Sequence, residues 1–118
     1  MVLLIKNADV YEPEALGKKD ILILGDKIAA VGEHLSAEFN GAVEVETIDG
    51  SGFAAVPGFI DSHEHIMGGG GEGGFHTRTP EASLTDLTRF GITTVVGCIG
   101  TDGITRDMTS LLAKAHGL

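Results

Sequence analysis

Two histidines, His63 and His65, are the residues of this sequence whose type and spacing most readily do chemistry. They lie in a strand predicted over residues 59–66, which follows a Pro57-Gly58 turn signal. Side chains two residues apart on a strand share one face, with Cα atoms roughly 6.6 Å apart. The neutral imidazole is the commonest metal ligand in proteins. The pattern therefore predicts that both rings bind one divalent metal ion at the tip of this strand.

The surroundings of the pair favour a metal site over the simpler alternative, two histidines on the solvated edge of a strand. Asp61 precedes His63 by two residues on the same predicted face, where it can hydrogen bond to that histidine and orient it. Glu64, between the histidines, is predicted to point to the opposite face. A glycine-rich loop at residues 68–74 follows the strand, as at sites built on strand ends in α/β proteins.

The composition indicates a globular protein with a small, soluble partner. Hydrophobic residues make up 42% of the 118 residues, which suffices for one small domain but not for two of ordinary size. The net charge of −9 argues against nucleic acid and anionic membrane surfaces, because both select basic patches. The single cysteine, Cys98, predicts a buried thiol and a reducing compartment. Since the apolar run at residues 2–5 is too short for a signal peptide or a membrane span, we expect a cytoplasmic protein.

Residues 1–57 are predicted to form short strands and turns that make part of a small β-sandwich. Their clearest feature is a hairpin with the turn Gly25-Asp26, between strands at residues 20–24 and 27–31. The other predicted elements are an opening strand over residues 2–6 that continues toward residue 11, a loop over 12–19, a connector with one helical turn over 32–40, and strands over 43–47 and 53–56.

Residues 58–118 change to an alternation of strands and helices. The predicted elements are a strand over 59–66, a helix between 79 and 91, a strand over 92–100, and a helix over 105–116 with the apolar stripe Met108, Leu111, Leu112 and Ala115. Thr79 is expected to cap the first helix, with Pro80 at its first position and Gly91 at its end. The second strand is apolar on both faces, which is typical of a buried parallel strand.

The 33-residue spacing between the starts of these two strands indicates a (β/α)8 barrel, in which one unit takes about 31 residues. The predicted fold is therefore α/β: part of a small β-sandwich at residues 1–57, then the first two βα units of a TIM barrel at residues 58–118. Two parallel strands alone have open edges and little stability of their own. We expect a longer chain, or another chain, to complete the barrel.

The segment P-G-F-I-D-S-H-E-H resembles the first barrel strand of the amidohydrolase superfamily, metal-dependent hydrolases with a small β-sandwich and a TIM barrel. Three further segments make the sequence similar to the isoaspartyl dipeptidases, which are zinc-dependent β-aspartyl peptidases: G-G-G-G-E at 68–72, T-R-T-P-E at 77–81 and G-T-D at 100–102. The resemblance covers the whole chain and corresponds to the N-terminal portion of such an enzyme. Glu64 departs from the apolar residue expected between the two histidines.

The resemblance implies roles for five residues. His63 and His65 would bind one metal of a binuclear Zn²⁺ site, and Glu72 would receive the substrate's α-ammonium group. Gly70 and Thr101 would contact the aspartyl α-carboxylate. The implied reaction is hydrolysis of an isoaspartyl dipeptide by a zinc-activated hydroxide, in a homo-oligomeric enzyme. The remaining metal ligands and the catalytic aspartate lie on later strands of such enzymes, so this segment contains no predicted catalytic residue and should be inactive alone.

Other functions stay open at this point. A dihydroorotase or hydantoinase would hydrolyse a cyclic amide and would be indifferent to Glu72, and a non-catalytic fragment would have no activity of its own. Residues 68–73 also fit a dinucleotide fingerprint, but a helix beginning near Pro80 starts too late to bind a pyrophosphate. The residues interpreted as surface groups are His34, His76, His116, Lys18, Lys19 and Arg106.

Overall fold

The computed structural model describes residues 1–118 as two compact units, Met1–Pro57 and Gly58–Leu118. The first unit contains the strands β1 (Val2–Tyr11), β2 (Ala15–Leu24), β3 (Lys27–Gly32), β4 (Val45–Asp49) and β5 (Ala54–Ala55). They form one sheet in the order β3-β2-β1-β4, and β5 also pairs with β1. β1 is antiparallel to β2 and parallel to β4 and β5. That this sheet is part of a β-sandwich stays a prediction.

Alternation along β1 buries one face of the first sheet. Val2, Leu4, Ala8 and Val10 are all buried, as expected when every second side chain of a strand points to the same side. Ala8 and Val10 form a core cluster with Ile21 of β2, against which Ile5, Ile23 and Ala55 pack. The first unit is therefore held by a small apolar layer on its central strands.

A buried ion pair lies beside Asn7, which has a left-handed φ of 59°. Asp20 is 3% exposed, and its carboxylate contacts Lys6 Nζ at 2.8 Å. The same carboxylate accepts hydrogen bonds from the backbone N–H groups of Asn7 and Leu35, each at 2.9 Å. The hydrogen bond from Lys6, and then that from Asn7, hold the pKa of Asp20 below its ordinary value. The contacts of this carboxylate therefore tie two segments to β2: β1, through Lys6 and Asn7, and the chain after β3, through Leu35.

The predicted loop over residues 12–19 is wrong in its second half, because β2 already begins at Ala15. The strand pairs there with the end of β1, with Tyr11 opposite Ala15 and Val10 opposite Gly17. The first four residues of β2 are exposed. They therefore lack the apolar alternation from which a strand could be predicted.

The hairpin between β2 and β3 is confirmed by the structure. Gly25 in its turn takes a φ of 64°, which glycine adopts without a steric penalty, and its N–H donates to the carbonyl of Met1 at 2.9 Å. Three other predictions need correction. Residues 32–40 contain no helical turn, β4 lies at 45–49 rather than 43–47, and the strand predicted over 53–56 is reduced to Ala54–Ala55.

The second unit has the predicted β-α-β-α order. Its elements are β6 (Phe59–Glu64), α1 (Leu84–Thr88), β7 (Ile92–Gly97) and α2 (Met108–Gly117), with a 3-10 turn at Phe75–Thr77 in the glycine-rich loop. β6 and β7 form a two-stranded parallel sheet. Both strands end earlier than predicted, at Glu64 rather than residue 66 and at Gly97 rather than residue 100. Neither helix combines the length and apolar character that crossing a bilayer requires.

Both helices begin later than predicted. α1 is capped by Ser83, whose backbone N–H donates to the Asp86 carboxylate at 2.8 Å in a capping box. The predicted cap, Thr79, instead bonds to Gly69: Gly69 N–H donates to Thr79 Oγ1 at 2.6 Å, and Thr79 N–H donates to the Gly69 carbonyl at 3.0 Å. α2 is capped by Asp107, whose carboxylate accepts a backbone N–H of the first helical turn at 2.7 Å.

The core of the second unit is a cluster of Ile66, Met67 and Leu111, with Val95, Ile99 and Leu118 packed against it. Of the stripe predicted on α2, Leu111 is buried, whereas Met108 and Leu112 are 67% and 60% exposed. The prediction that β7 is buried on both faces is also wrong. Val95 packs against the cluster, but Val96, on the other face of the strand, is 51% exposed because the cluster covers only one side.

Candidate functional site

The rings of His63 and His65 lie close together at the end of β6. Their centroids are 5.1 Å apart, and their planes meet edge to face at 79°. His63 belongs to β6, and His65 follows its last residue, Glu64. The pairing of β6 with β7 shifts register between Asp61 and Glu64, so the strand is irregular just where the histidines emerge. The structure thus brings the two predicted ligands together, and their binding of a metal stays a prediction.

The nitrogen atoms of the pair fit part of a metal site. Nδ1 of His65 is buried without a hydrogen-bond partner, although a buried polar atom is normally paired. Imidazole nitrogens are ordinary zinc ligands. The chain has no group of three or more His, Cys, Asp and Glu residues that could hold a metal ion. His63 and His65 therefore account for two ligands of such a site.

Asp61 and Glu64 are the two carboxylates that lie beside the histidines in the chain. Asp61 Oδ1 accepts a hydrogen bond from the backbone N–H of His63 at 2.9 Å, so it fixes the main chain at that histidine rather than its ring. Glu64 lines an open cavity of about 490 Å³ together with His65. The pairing of β6 with β7 shifts register between Asp61 and Glu64, and the direction of the Glu64 side chain relative to the metal stays a prediction.

The glycine-rich loop brings Gly70 and Thr101 into direct contact. Thr101 Oγ1 donates to the carbonyl of Gly70 at 3.0 Å, which engages the hydroxyl hydrogen of Thr101. Gly70 has a φ of 71°, and a Cβ built on it would lie 2.4 Å from the carbonyl oxygen of Thr77. Only glycine fits this position without strain. Contact of Gly70 and Thr101 with a substrate carboxylate stays a prediction.

Glu72 lies beside Thr101 at a second cavity, of about 380 Å³, whose lining also includes Gly71 and Asp102. Glu72 is exposed, so its carboxylate is open to a soluble cation such as an ammonium group. Gly70 is not among the residues that line this cavity, but its carbonyl bonds to Thr101. The three residues predicted to bind substrate are thus gathered at one loop. This cavity and the one beside His65 share no lining residue.

Arg106, which the sequence analysis interprets as a surface charge, is buried, so that interpretation is wrong. Its side chain lies against the glycine-rich loop and leaves the residue 3% exposed. Nη1 donates to the carbonyl of Gly70 and Nη2 to that of Gly69, both at 3.3 Å. Its Nε is buried without a partner. The one sequence signal for this contact is Gly100, where a Cβ would lie 2.7 Å from Arg106 Nη1.

Asp102 shapes the turn that precedes Arg106. Its carboxylate is buried and accepts hydrogen bonds from the backbone N–H groups of Ile104 and Thr105, each at 3.1 Å, and from the Thr105 hydroxyl. Arg78 Nε lies 3.6 Å from the same carboxylate. The Thr105 hydroxyl, and then the backbone N–H groups and Arg78, hold the pKa of Asp102 below its ordinary value. Asp102 therefore stays ionised and keeps the turn closed.

The other residues interpreted as surface groups are exposed, namely His34, His76, His116 and Lys18, except that Lys19 is half-buried and pairs with Glu33. Cys98 is half-buried rather than fully buried.

α1 begins only at Leu84, later than predicted, which strengthens the argument against a dinucleotide site at the glycine-rich loop.

Comparisons with known proteins point to one group of hydrolases. No protein-family model matches the chain. A beta-aspartyl dipeptidase from the thermophilic, keratin-degrading Fervidobacterium islandicum AW-1 is 51% identical, with a TM-score of 0.88 over 99% of this chain and 31% of its own. The same enzyme in complex with the dipeptide beta-Asp-Leu matches with a TM-score of 0.85 and 51% identity over 100% of this chain and 30% of its own.

Dihydroorotases are also similar to this chain. The dihydroorotase of Lactobacillus leichmannii is 37% identical over 92% of the chain and 23% of its own length, and that of Elusimicrobium minutum is 47% identical over 62% of the chain and 16% of its own length. The chain thus spans about a fifth of the length of these two dihydroorotases. The predicted similarity to amidohydrolase-superfamily hydrolases is confirmed, as is the predicted fold, the N-terminal part of their TIM-barrel architecture.

Proposed function

Because this chain matches the N-terminal part of amidohydrolase-superfamily hydrolases, we propose that it supplies metal ligands and substrate-binding residues for hydrolysis of isoaspartyl (β-aspartyl) dipeptides. The observation that supports this substrate most strongly is the similarity to a beta-aspartyl dipeptidase over essentially the whole chain. The dihydroorotases match at lower identity over comparable lengths of chain.

The proposed metal is zinc in a binuclear site, with His63 and His65 as two of its ligands. The convergent rings and the unpartnered Nδ1 of His65 support this assignment. Bound zinc would supply Lewis-acid chemistry, which polarises an amide carbonyl and makes water a better nucleophile near neutral pH. Asp61 holds the backbone of His63 and so helps to set the position from which that ring acts.

The proposed substrate contacts lie on the glycine-rich loop. An isoaspartyl residue carries a free α-ammonium and a free α-carboxylate, because its peptide bond uses the side-chain carboxyl. The exposed carboxylate of Glu72 is complementary to the ammonium group. Gly70 leaves its backbone uncrowded for a carboxylate, and Thr101 lies against it. The same loop can therefore bind both groups that distinguish this substrate from an ordinary dipeptide.

Two further features belong to this proposal. The single half-buried cysteine suits a reducing, cytoplasmic location. We also infer that the partner is the dipeptide alone, without nucleic acid or membrane, because both of these select basic patches and the net charge is −9. That the enzyme is a homo-oligomer is inferred from its resemblance to the isoaspartyl dipeptidases.

A second candidate function, dihydroorotase activity, is supported by the 92% of this chain that aligns with the Lactobacillus leichmannii enzyme. The two candidates differ in the charge that they need at Glu72. A cyclic amide substrate has no free α-ammonium group, because that nitrogen is part of the ring. A carboxylate at position 72 is then unnecessary for recognition.

Substitution of Glu72 by Gln in the full-length protein separates the two functions. We expect kcat/KM for β-Asp-Leu to fall by about 10- to 100-fold, since a hydrogen bond between charged groups contributes about 1.5–3 kcal/mol. Glu38→Gln is the matched control, because Glu38 is equally exposed and has no assigned role. Hydrolysis of dihydroorotate, unaffected by Glu72→Gln, would favour the second candidate. Absence of both activities in the wild-type protein would contradict an enzymatic role.

A further inference from the structure

The guanidinium group of Arg106 holds two consecutive carbonyl groups of the glycine-rich loop. Its two terminal nitrogens donate to the carbonyls of Gly69 and Gly70, and the residue is 3% exposed. A buried arginine is uncommon unless its charge is compensated. Here the nearest partners are neutral carbonyls, and Nε has none. Such an arrangement costs free energy, so the fold gains something else from this side chain.

The orientation of the carbonyls determines where the neighbouring N–H groups point. In a trans peptide the C=O and the following N–H lie on opposite sides of one plane. The carbonyls of Gly69 and Gly70, turned toward Arg106, therefore direct the N–H groups of Gly70 and Gly71 to the other side of the loop. Neither N–H has an acceptor within the chain. Gly70 and Gly71 have φ values of 71° and 107°, so this backbone depends on glycine.

Two adjacent N–H groups that point the same way form a binding site for an anion such as a carboxylate. Thr101 and Thr79 fix the same peptides from other directions, through the carbonyl of Gly70 and through both backbone groups of Gly69. Arg106 is the charged member of this set. Its positive charge polarises the two peptide groups and makes their N–H groups better donors to an anion.

We propose that Arg106 is a positioning residue, which orients and polarises the N–H groups of Gly70 and Gly71 for the α-carboxylate of the substrate. The inference takes its substrate from the proposed function. It adds Arg106 to the residues that recognise this substrate, and it assigns the recognition of the carboxylate to backbone N–H groups. Arg106 acts through the two peptides and does not touch the carboxylate.

A pair of substrates tests this role in the full-length protein: β-Asp-Leu, and the same dipeptide with the aspartyl α-carboxylate replaced by a carboxamide. For Arg106→Met we expect KM for β-Asp-Leu to rise by about tenfold with little change in kcat, because binding common to ground and transition states is lost. The preference for carboxylate over carboxamide should fall by a similar factor. A purely structural Arg106 would lower kcat for both substrates equally and leave that preference unchanged, which would overturn the proposal.

Gly100→Ala provides a second variant that keeps the arginine. The new methyl group would lie 2.7 Å from Arg106 Nη1, the flexible end of its side chain, and 3.3 Å from the carbonyl oxygen of Gly68, so it would displace mainly the guanidinium without removing its charge. The same loss of carboxylate preference is expected. Arg89→Met is the matched control, because Arg89 is exposed and lies outside the loop, and it should behave like the wild type. A wild-type preference in Gly100→Ala would contradict the proposal.

Hydrogen exchange on the wild-type protein makes the test independent of how the variants fold. L-aspartate should slow amide exchange at Gly70 and Gly71, and its α-carboxamide should not. Equal protection by both compounds, or by neither, would overturn the inference. A wild-type protein without activity on β-Asp-Leu would instead overturn the proposed function, so the two failures are distinct.

Discussion

The two units of this chain bury three charged side chains, Asp20 in the first unit and Asp102 and Arg106 in the second, and the charge of Arg106 is compensated less than the other two. In the first unit, the carboxylate of Asp20 meets Lys6 and two backbone N–H groups, so its charge is fully compensated. In the second unit, Arg106 contacts only neutral carbonyls. Three buried side-chain nitrogens there make no hydrogen bond, namely Arg106 Nε, His65 Nδ1 and Arg78 Nε, of which only the last lies near an opposite charge, 3.6 Å from the Asp102 carboxylate. All three lie between residues 58 and 118.

This difference distinguishes a buried charge that stabilises the fold from buried groups that serve a proposed binding site. A buried polar group without a partner costs about 1–3 kcal/mol, so a fold selected for stability alone would pair it or replace it. The first unit follows that rule at Asp20. The second unit follows it at Asp102 but breaks it at His65 Nδ1 and Arg106 Nε, beside the proposed metal and substrate sites. Substitutions in the first unit should therefore change stability, and those in the second should change activity.

The largest expected effect is the loss of a metal ligand. His65→Asn in the full-length protein should lower kcat/KM for β-Asp-Leu on the order of 1,000-fold, because metal-dependent polarisation of the amide is lost. Bound zinc, measured by elemental analysis, should fall in parallel. With zinc removed from both proteins, the unfolding midpoint should not fall, since His65 Nδ1 has no hydrogen-bond partner to lose. His116→Asn is the control, on an exposed residue of α2, and full activity in His65→Asn would contradict the metal assignment.

A smaller effect is expected from a methyl group in the glycine-rich loop. Gly70→Ala places a Cβ 2.4 Å from the Thr77 carbonyl at a φ of 71°, so the loop must move. We expect KM for β-Asp-Leu to rise by about 10- to 100-fold, because the proposed carboxylate donors are displaced. Gly117→Ala is the matched control, since its Cβ would meet no atom within 4 Å. An unchanged KM in Gly70→Ala would show that this loop does not bind the substrate.

The smallest effect on activity, and the clearest on stability, is expected in the first unit. Asp20→Asn should lower the free energy of unfolding in urea by about 1–3 kcal/mol, because buried hydrogen bonds lose a charged acceptor. The kinetic constants for β-Asp-Leu should stay at wild-type values. Asp26→Asn is the control: this carboxylate is 86% exposed, and its pairing with Lys27 at 3.5 Å contributes little.

The difference in unfolding free energy between the wild type and Asp20→Asn should depend on pH. Because the pKa of Asp20 is lower in the folded protein, its contribution is complete above the pKa of the unfolded chain and is lost as the pH falls below about 4. The stability difference between wild type and Asp20→Asn should therefore narrow in acid. A difference that stays constant from neutral pH to pH 3 would mean that the ionised carboxylate is not what stabilises this unit.

Local patterns in the sequence predict the parts of this structure that depend on neighbouring residues. The Gly25-Asp26 hairpin, the β-α-β-α order and the meeting of His63 with His65 all follow from turn chemistry and strand periodicity. The start of β2 at Ala15 was missed because its first residues are exposed, and strand pairing alone defines it.

Contacts between distant residues explain the other misses. Thr79 has the sequence features of a helix cap, but its bonds to Gly69, ten residues away, take it out of the helix. Arg106 lies 36 and 37 residues from the glycines that it holds, so no local pattern indicates its burial. The meeting of two residues on one strand, such as His63 and His65, is thus predictable from the sequence, whereas the burial of Arg106 is not.

The reciprocal hydrogen bonds between Thr79 and Gly69 have a consequence for the speed and thermodynamics of ligand capture. They fix the start of the glycine-rich loop before any ligand arrives, so the conformational entropy of that part is lost during folding rather than during association. A ligand that enters this loop meets a preorganised backbone. Its association should need no slow rearrangement there, and its binding entropy should contain little contribution from loop ordering.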